Sequence, residues 1–406
     1  MEHINVQEKV LIDDSILSWE VLSFEPFNPT KLGLNDEIRI SLQQTGKYPL
    51  PCKSELYLEL KVTKEDGMPL TNTYLINNAA AFLFKELRYV LNGVTIDSVR
   101  DIGITSTMKG YLSYNLNESV KLQNAGWYPA EKKEKIIMVD SNGNVSLCIP
   151  LKMYSGFFED YKKIILNSHQ ELILVRANDD SNALVQTAES TEKPKLTITK
   201  LCWRVPHLTV AIPQELALTK IIDKNIDILL TFRSWELVEY PELLETTRHN
   251  WPVKTSTKIE TPRHVILAFQ KDKRDNLKKD MSKFDHCDLR NVNVYLNSER
   301  YPYGDLQLDF KNNKFATLYE MFSEFRQVYY NNTQESIFTP SEFKDKAPLV
   351  YINCTHQRDL LQTGPVTMRV EFETAEKMSD KTTAYCLIIH DKIFSYNPLT
   401  KIVKQL

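Results

Sequence analysis

Two short stretches lying about half a chain apart decide the fold: Leu87-Arg88-Tyr89-Val90-Leu91-Asn92-Gly93 and Val292-Asn293-Val294-Tyr295-Leu296-Asn297-Ser298. Each is an alternating run that stops at Leu-Asn. Period-two alternation marks a strand with one buried face, and the Asn that follows begins a turn. After Asn92 comes an aromatic cluster, Tyr111-Leu112-Ser113-Tyr114; after Asn297 comes Leu318-Tyr319-Glu320-Met321-Phe322. Both halves therefore run strand, Asn turn, strand, short helix, then more strands, which predicts two copies of one β-domain.

The same alternation extends outward from these blocks. Leu56, Leu58, Leu60 and Val62 alternate with Tyr57, Glu59 and Lys61, and Met368, Val370 and Phe372 alternate with Arg369, Glu371 and Glu373. Further strands are predicted at Ile38–Leu42, Ile136–Val139, Leu172–Val175, Leu196–Trp203, Ile226–Leu237, Val265–Phe269, Val292–Leu296, Val350–Cys354 and Ala384–His390. Helical signal is scarce: the stripe Phe315, Leu318, Tyr319, Phe322 and Phe325, the segment Pro213–Asp223 and the segment Thr105–Tyr114. Ala177–Lys195 is polar and reads as an exposed loop of the first sandwich, and the boundary between halves falls in Pro206–Asn225. Many short strands with few helices suit an all-β chain of two consecutive antiparallel eight-stranded jelly-roll sandwiches, a double jelly roll with a few short helices. The expected divisions are an N-terminal arm over 1–30, a first jelly roll over 31–210, a linker over 211–225 and a second jelly roll over 226–406.

Composition narrows the function classes. Lys+Arg is 50 and Asp+Glu is 53, so bulk basicity is not available for holding nucleic acid. Only 11 of 406 residues are glycine, well below the usual share of about 7%. Neither GxxxxGK[ST] nor GxGxxG occurs, so no loop is offered to a phosphate. The first residues lack the basic and apolar pattern of a secretion signal, and no apolar run is long enough to span a membrane. Cys52, Cys148, Cys202, Cys287, Cys354 and Cys386 are too scattered for a zinc site and read as buried free thiols in a reducing compartment.

Candidate chemistry is thin, and neither a cofactor nor a metal is expected. Phe284-Asp285-His286-Cys287-Asp288 gathers an acid, an imidazole and a thiol, but on an extended strand His286 and Cys287 point to opposite faces. His390-Asp391 reads as a polar pair at a hairpin. Glu55 with Glu59, and Glu371 with Glu373, are carboxylate pairs of the kind a glycosidase uses, yet their alternation with cations reads as ion-paired solvated faces. The run Lys271-Asp272-Lys273-Arg274-Asp275-Asn276-Leu277-Lys278-Lys279-Asp280 reads as a surface loop that could touch a partner or nucleic acid. The arm is acidic through Leu22 and could pack Leu17, Trp19, Leu22, Phe24 and Phe27 against a neighbour or the base of the sandwiches. No residue is singled out as catalytic, cofactor-binding or metal-ligating, and the chain is expected not to be an enzyme.

Four blocks carry a family resemblance: Trp203-Arg204-Val205-Pro206-His207, Phe232-Arg233-Ser234-Trp235-Glu236, Asn297-Ser298-Glu299-Arg300-Tyr301-Pro302-Tyr303 and Thr383-Ala384-Tyr385-Cys386-Leu387-Ile388-Ile389-His390-Asp391. Through them the chain resembles the double-jelly-roll-like proteins of invertebrate genomes, which are similar to the major capsid proteins of double-stranded DNA viruses and of Polinton/Maverick elements. The resemblance runs from about Leu56 to the C-terminus. It implies a major capsid protein forming homotrimeric, pseudo-hexagonal capsomers of an icosahedral shell. The partners it implies are neighbouring capsomers and minor capsid proteins, with weak or indirect contact to nucleic acid. The implied location is the virion, with an intracellular stage before assembly and no secretion. The alternatives are a lectin-like two-domain binding protein, its site lined by Trp127, Tyr128, Trp251 or Tyr329, and a domesticated descendant that no longer assembles. A sandwich-fold hydrolase is the third class considered.

Overall fold

The computed structural model describes residues 15–30, 32–43, 45–129, 139–254, 262–355 and 366–406. The first half contains β1 (Ile16–Phe24), β2 (Glu37–Ser41), β3 (Glu55–Lys64), β4 (Phe84–Leu91), β5 (Val94–Arg100), β6 (Asn144–Pro150), β7 (Gln170–Arg176) and β8 (Pro194–Val210). The second contains β9 (Ile228–Tyr240), β10 (Arg248–Val253), β11 (Pro262–Lys271), β12 (Leu289–Leu296), β13 (Glu299–Tyr301), β14 (Val350–Asn353), β15 (Met368–Thr374) and β16 (Thr382–Tyr396). The first half folds as sheets β1-β8-β3-β6 and β2-β7-β4-β5, and the second as β9-β16-β11-β14 and β10-β15-β12-β13. Adding eight to each strand number converts one half into the other, and every pairing is antiparallel. This order is the jelly-roll order, present twice.

Local chemistry explains the strands. On β3 the side chains of Leu56, Leu58, Leu60 and Val62 are buried while Glu55, Tyr57 and Glu59 stay half-exposed. The two Asn turns are built alike. Asn92 and Asn297 both adopt the left-handed conformation, with φ of 49° and 52°, which Asn tolerates better than most residues. The Asn92 side-chain oxygen accepts from the His169 amide at 2.7 Å while its own amide donates to the His169 carbonyl at 2.8 Å. Asn297 does the same with Thr367, at 2.9 and 2.8 Å. His169 and Thr367 each directly precede the seventh strand of their roll, so one residue ties the turn to that strand in both halves.

The helices are α1 (Ala79–Phe82), α2 (Ile102–Ser113), α3 (Leu116–Leu122), α4 (Gly156–Asp160), α5 (Ile212–Asp223), α6 (Ala316–Tyr330) and α7 (Pro340–Lys346). Helices α2 and α3 lie between the fifth and sixth strands of the first roll, and α6 and α7 between the equivalent strands of the second. On α6 the side chains of Leu318, Phe322, Phe325 and Tyr329 are buried, and Phe322 lies 4.9 Å from the Phe343 ring of α7. Phe322→Ala is expected to destabilise the chain by about 3–5 kcal/mol, as for other buried aromatics. An unchanged denaturation midpoint would contradict this packing.

Several expectations change. Ile16–Phe24 is not part of a separate arm: it is β1, paired with β8 from Ile16↔Val210 to Phe24↔Trp203. The loop Ala177–Lys195 is not wholly exposed, because Leu184–Gln186 pairs with Thr73–Leu75 and buries Leu184 and Val185. No turn follows His390, since β16 runs on to Tyr396 and Asp391 pairs with Arg263 at 3.0 Å. Of Ile136–Val139, only Val139 lies within the described residues.

Candidate functional site

The residues that join the two rolls form a polar cluster. The edge strand β5 of the first roll meets β9 of the second, with α2 and α4 from the first side and α6 from the second packed around the junction. Asp97 of β5 is fully buried. It accepts from Ser155 Oγ at 2.6 Å, from the Phe157 amide at 3.2 Å and, across the junction, from Ser234 Oγ at 2.8 Å. Arg233 of β9 reaches back the other way. Its guanidinium donates to both oxygens of Asp160, at 2.6 and 2.8 Å, and to the Tyr329 carbonyl at 2.7 Å. The same group lies 3.5 Å from the centre of the Tyr329 ring, a cation–π contact.

Lys109 of α2 is buried at the same junction. Its ammonium sits 4.1 Å from the Tyr329 ring centre and 4.9 Å from that of Trp235. It donates to Ser113 Oγ and Tyr330 Oη, each at 2.8 Å, and to the Glu159 carboxylate at 3.2 and 3.3 Å. Burial pulls its pKa down from 10.5 to about 8, against the opposing pull of Glu159. Glu159 also accepts from Tyr329 Oη at 2.8 Å and from Tyr330 Oη. His264 of β11 faces the cluster. Burial, with Arg233 and Lys109 nearby, depresses its pKa to about 3, which keeps it neutral. A cleft of about 550 Å³ opens beside the cluster, with Lys53, Lys152 and Lys162 among its lining residues. Sequence inspection missed this network because its members are spread from Asp97 to Tyr330 and join only through the repeat's packing. Each member is held by a partner from within the chain, so the arrangement acts as a clamp.

Of the residues singled out from sequence, Tyr329 belongs to this cluster and the others lie elsewhere. Cys287 is buried in a left-handed turn, with its thiol pushed up to about 12 by burial. The His286 ring accepts the Asp288 amide at 3.0 Å and stacks on Phe310. Glu55 pairs with Arg204 at 2.9 Å, Glu371 with Arg369 at 3.3 Å and Glu373 with Arg248 at 3.5 Å. Four of the five cations of the 271–280 run are engaged within the chain. Lys273 pairs with Asp285, Arg274 with Glu239 and Lys279 with Asp272, while Lys278 donates to the Thr187 carbonyl of the first roll at 3.0 Å. Trp127, Tyr128, Trp251 and Tyr329 are all buried, so they do not line a shallow sugar site. Among the described residues no group of three or more His, Cys, Asp or Glu is placed to hold a metal ion, and no helix is long and apolar enough to cross a membrane.

The junction uses β5 and β9. Their counterparts are β13 of the second roll, where Glu299 and Arg300 are half-exposed and Tyr301 is buried, and β1 of the first. On β9 the side chains of Phe232, Ser234 and Trp235 are buried. On β1 Leu17 is 64% exposed, Trp19 49% and Val21 45%. Beyond β13, Tyr303 is 80% exposed.

No curated protein matches the sequence. Solved structures do match over nearly all of the chain. The Faustovirus major capsid protein is 10% identical, with 95% of this chain and 92% of that chain covered and a TM-score of 0.63. The mavirus major capsid protein is 11% identical, with 99% and 92% covered and a TM-score of 0.58. A chain of the Sputnik virophage is 9% identical, with 99% and 91% covered and a TM-score of 0.65. At these identities the likeness is one of fold. The profile of the double jelly roll-like domain matches residues 73–394, and with the strand order found twice over, the chain belongs to the double jelly roll-like domain family.

Proposed function

We propose that the protein is a structural, non-enzymatic major capsid protein whose three copies close head to tail into a pseudo-hexagonal capsomer. The observation that carries this is the inequality of two equivalent strands. In β9 the edge of the second roll is covered by the first roll, whereas in β1 the same edge of the first roll presents Leu17, Trp19 and Val21 to solvent. An exposed apolar edge of this kind marks an interaction surface. The partner that fits it is the other unused edge, β13 and the following Tyr303, on a second copy. Such an interface is heterologous and forms a closed ring if each step rotates by the right amount. Two rolls per chain make three chains a ring of six. The fold likeness to the capsid proteins of Faustovirus and mavirus supports the same reading. Neighbouring capsomers and minor capsid proteins are then the further partners, and the virion shell the location.

Leu17→Glu combined with Trp19→Glu is expected to give a monomer whose denaturation midpoint equals that of the wild-type monomer, because both side chains are exposed within one copy. Sedimentation velocity reads the result. A variant that retains the wild-type mass refutes β1 as the closing edge.

A further inference from the structure

The cleft beside the junction holds more positive charge than the clamp uses. The three carboxylates among its lining residues are each matched from within the chain: Asp160 by Arg233 at 2.6 Å, Glu159 by Lys109 at 3.2 Å and Glu118 by Arg326 at 2.5 Å. Lys53, Lys152 and Lys162 line the same cleft. All three are exposed, and none has a hydrogen-bond or ion-pair partner among the described residues. Short elements set their positions. Lys53 ends the 3-10 turn Pro51–Lys53, and Lys152 lies in the 3-10 turn Leu151–Met153. The Leu151 amide ties the two turns together by donating to the Ser54 carbonyl at 3.1 Å. Lys162 follows α4, next to Tyr161, whose buried ring stacks on Phe157 at 5.4 Å. The Cys52 thiol, raised by burial, feels both Lys53 and Lys162, so these two lysines converge. From the second roll comes Arg326 of α6, which is only 4% exposed although it lines the cleft. Its Nη1 donates to the Ser113 carbonyl at 2.9 Å and to Glu118, while its buried Nε has no partner among the described residues.

We infer that this cleft binds a compact oligophosphate, an anion that carries several phosphate groups close together. The three surplus ammonium groups have no counter-charge in the cleft, and a concave site lined by one sign of charge concentrates ions of the other. Ammonium and guanidinium groups make short, strong hydrogen bonds to phosphate oxygens. The volume of about 550 Å³ falls within the range of about 300–1,000 Å³ for small-ligand sites. Cations arriving from four chain segments suit several phosphates better than one. They gather around a hollow instead of tracking along a groove, which favours a compact anion over a nucleic-acid strand. The bound anion would touch lysines of the first roll and Arg326 of the second, and so brace the two rolls against each other. Binding needs only one chain and does not rest on trimer closure.

The test is isothermal titration calorimetry of the full chain with inorganic triphosphate at fixed ionic strength. Saturable binding at one site per chain is expected. Lys53→Gln, Lys152→Gln and Lys162→Gln together should weaken it at least about tenfold. Without ligand this triple variant should unfold at the wild-type midpoint or above it, because three unpaired like charges are gone; that separates loss of the site from loss of the fold. Lys195→Gln combined with Lys220→Gln and Lys224→Gln removes the same charge from exposed lysines outside the cleft and should bind as wild type does. A nucleoside triphosphate in place of the inorganic one identifies the source. Tighter binding assigns the site to a nucleotide, and equal binding assigns it to the phosphates alone. Absence of saturable binding overturns the inference. So does unchanged binding by the cleft variant, or an equal loss in the control, which would mean attraction by overall charge. Equal affinity for single inorganic phosphate overturns the choice of an oligophosphate, and so does capture of duplex DNA without any response to triphosphate.

Discussion

Gly156→Ala is expected to destabilise the protein by about 3 kcal/mol or more, at or above the top of the usual range for overpacking. Gly156 opens α4 where the first roll presses on β9, and a Cβ there would lie 1.6 Å from the Arg233 carbonyl oxygen and 3.1 Å from Trp235 Nε1. The nearer obstacle is backbone, so no rotamer change relieves it. The strand would have to retreat, taking with it the Arg233–Asp160 pair and the Ser234–Asp97 hydrogen bond. Gly304→Ala is the control: a Cβ there meets nothing within 4 Å, and its stability should be within about 0.5 kcal/mol of wild type. Chemical denaturation measures both. A Gly156→Ala chain as stable as wild type would show that the two rolls do not approach this closely.

Lys109→Met is expected to cost about 3–5 kcal/mol, because removing one partner leaves the largely covered Glu159 carboxylate without its cation. Adding Glu159→Gln should recover part of that loss, and the double-mutant cycle isolates the coupling. The pH dependence carries a sign. The Lys109 pKa is about 8 in the folded chain and 10.5 when unperturbed, so between these values the unfolded state holds more protons. Stability contributed through this group therefore rises as pH increases through that window. The difference in stability between wild type and Lys109→Met should widen over the same range. A difference that stays flat would mean that Lys109 does not titrate inside the fold.

The rolls were legible in the sequence wherever one face of a strand is wet. Leu56 to Val62 and Met368 to Phe372 show clean alternation because their outward neighbours carry charge. The Asn turns were legible because the same residue solves the same geometric demand twice. β1 was harder to recognise. Its Leu17, Trp19 and Val21 lie on the face away from the roll, so apolar residues occupy both faces and alternation disappears. Under the proposed assembly this is the expected signature of a strand covered from both sides once a neighbour is in place. β10 was hidden by Pro252, a residue that usually argues against a strand. The clamp as a unit was not legible, although Tyr329 and the block around Arg233 stood out singly. Lys109, Glu159, Arg233 and Tyr330 sit in four separate segments, and nothing in their local spacing announces that burial will bring them together.

The central claim is that three copies close through β1 and β13. Light scattering of the purified chain, with negative-stain images of the same peak, tests it most directly. The expected result is a particle of three times the 47.2 kDa chain mass, six-lobed in projection. A single species of 47.2 kDa that does not associate on concentration would contradict it.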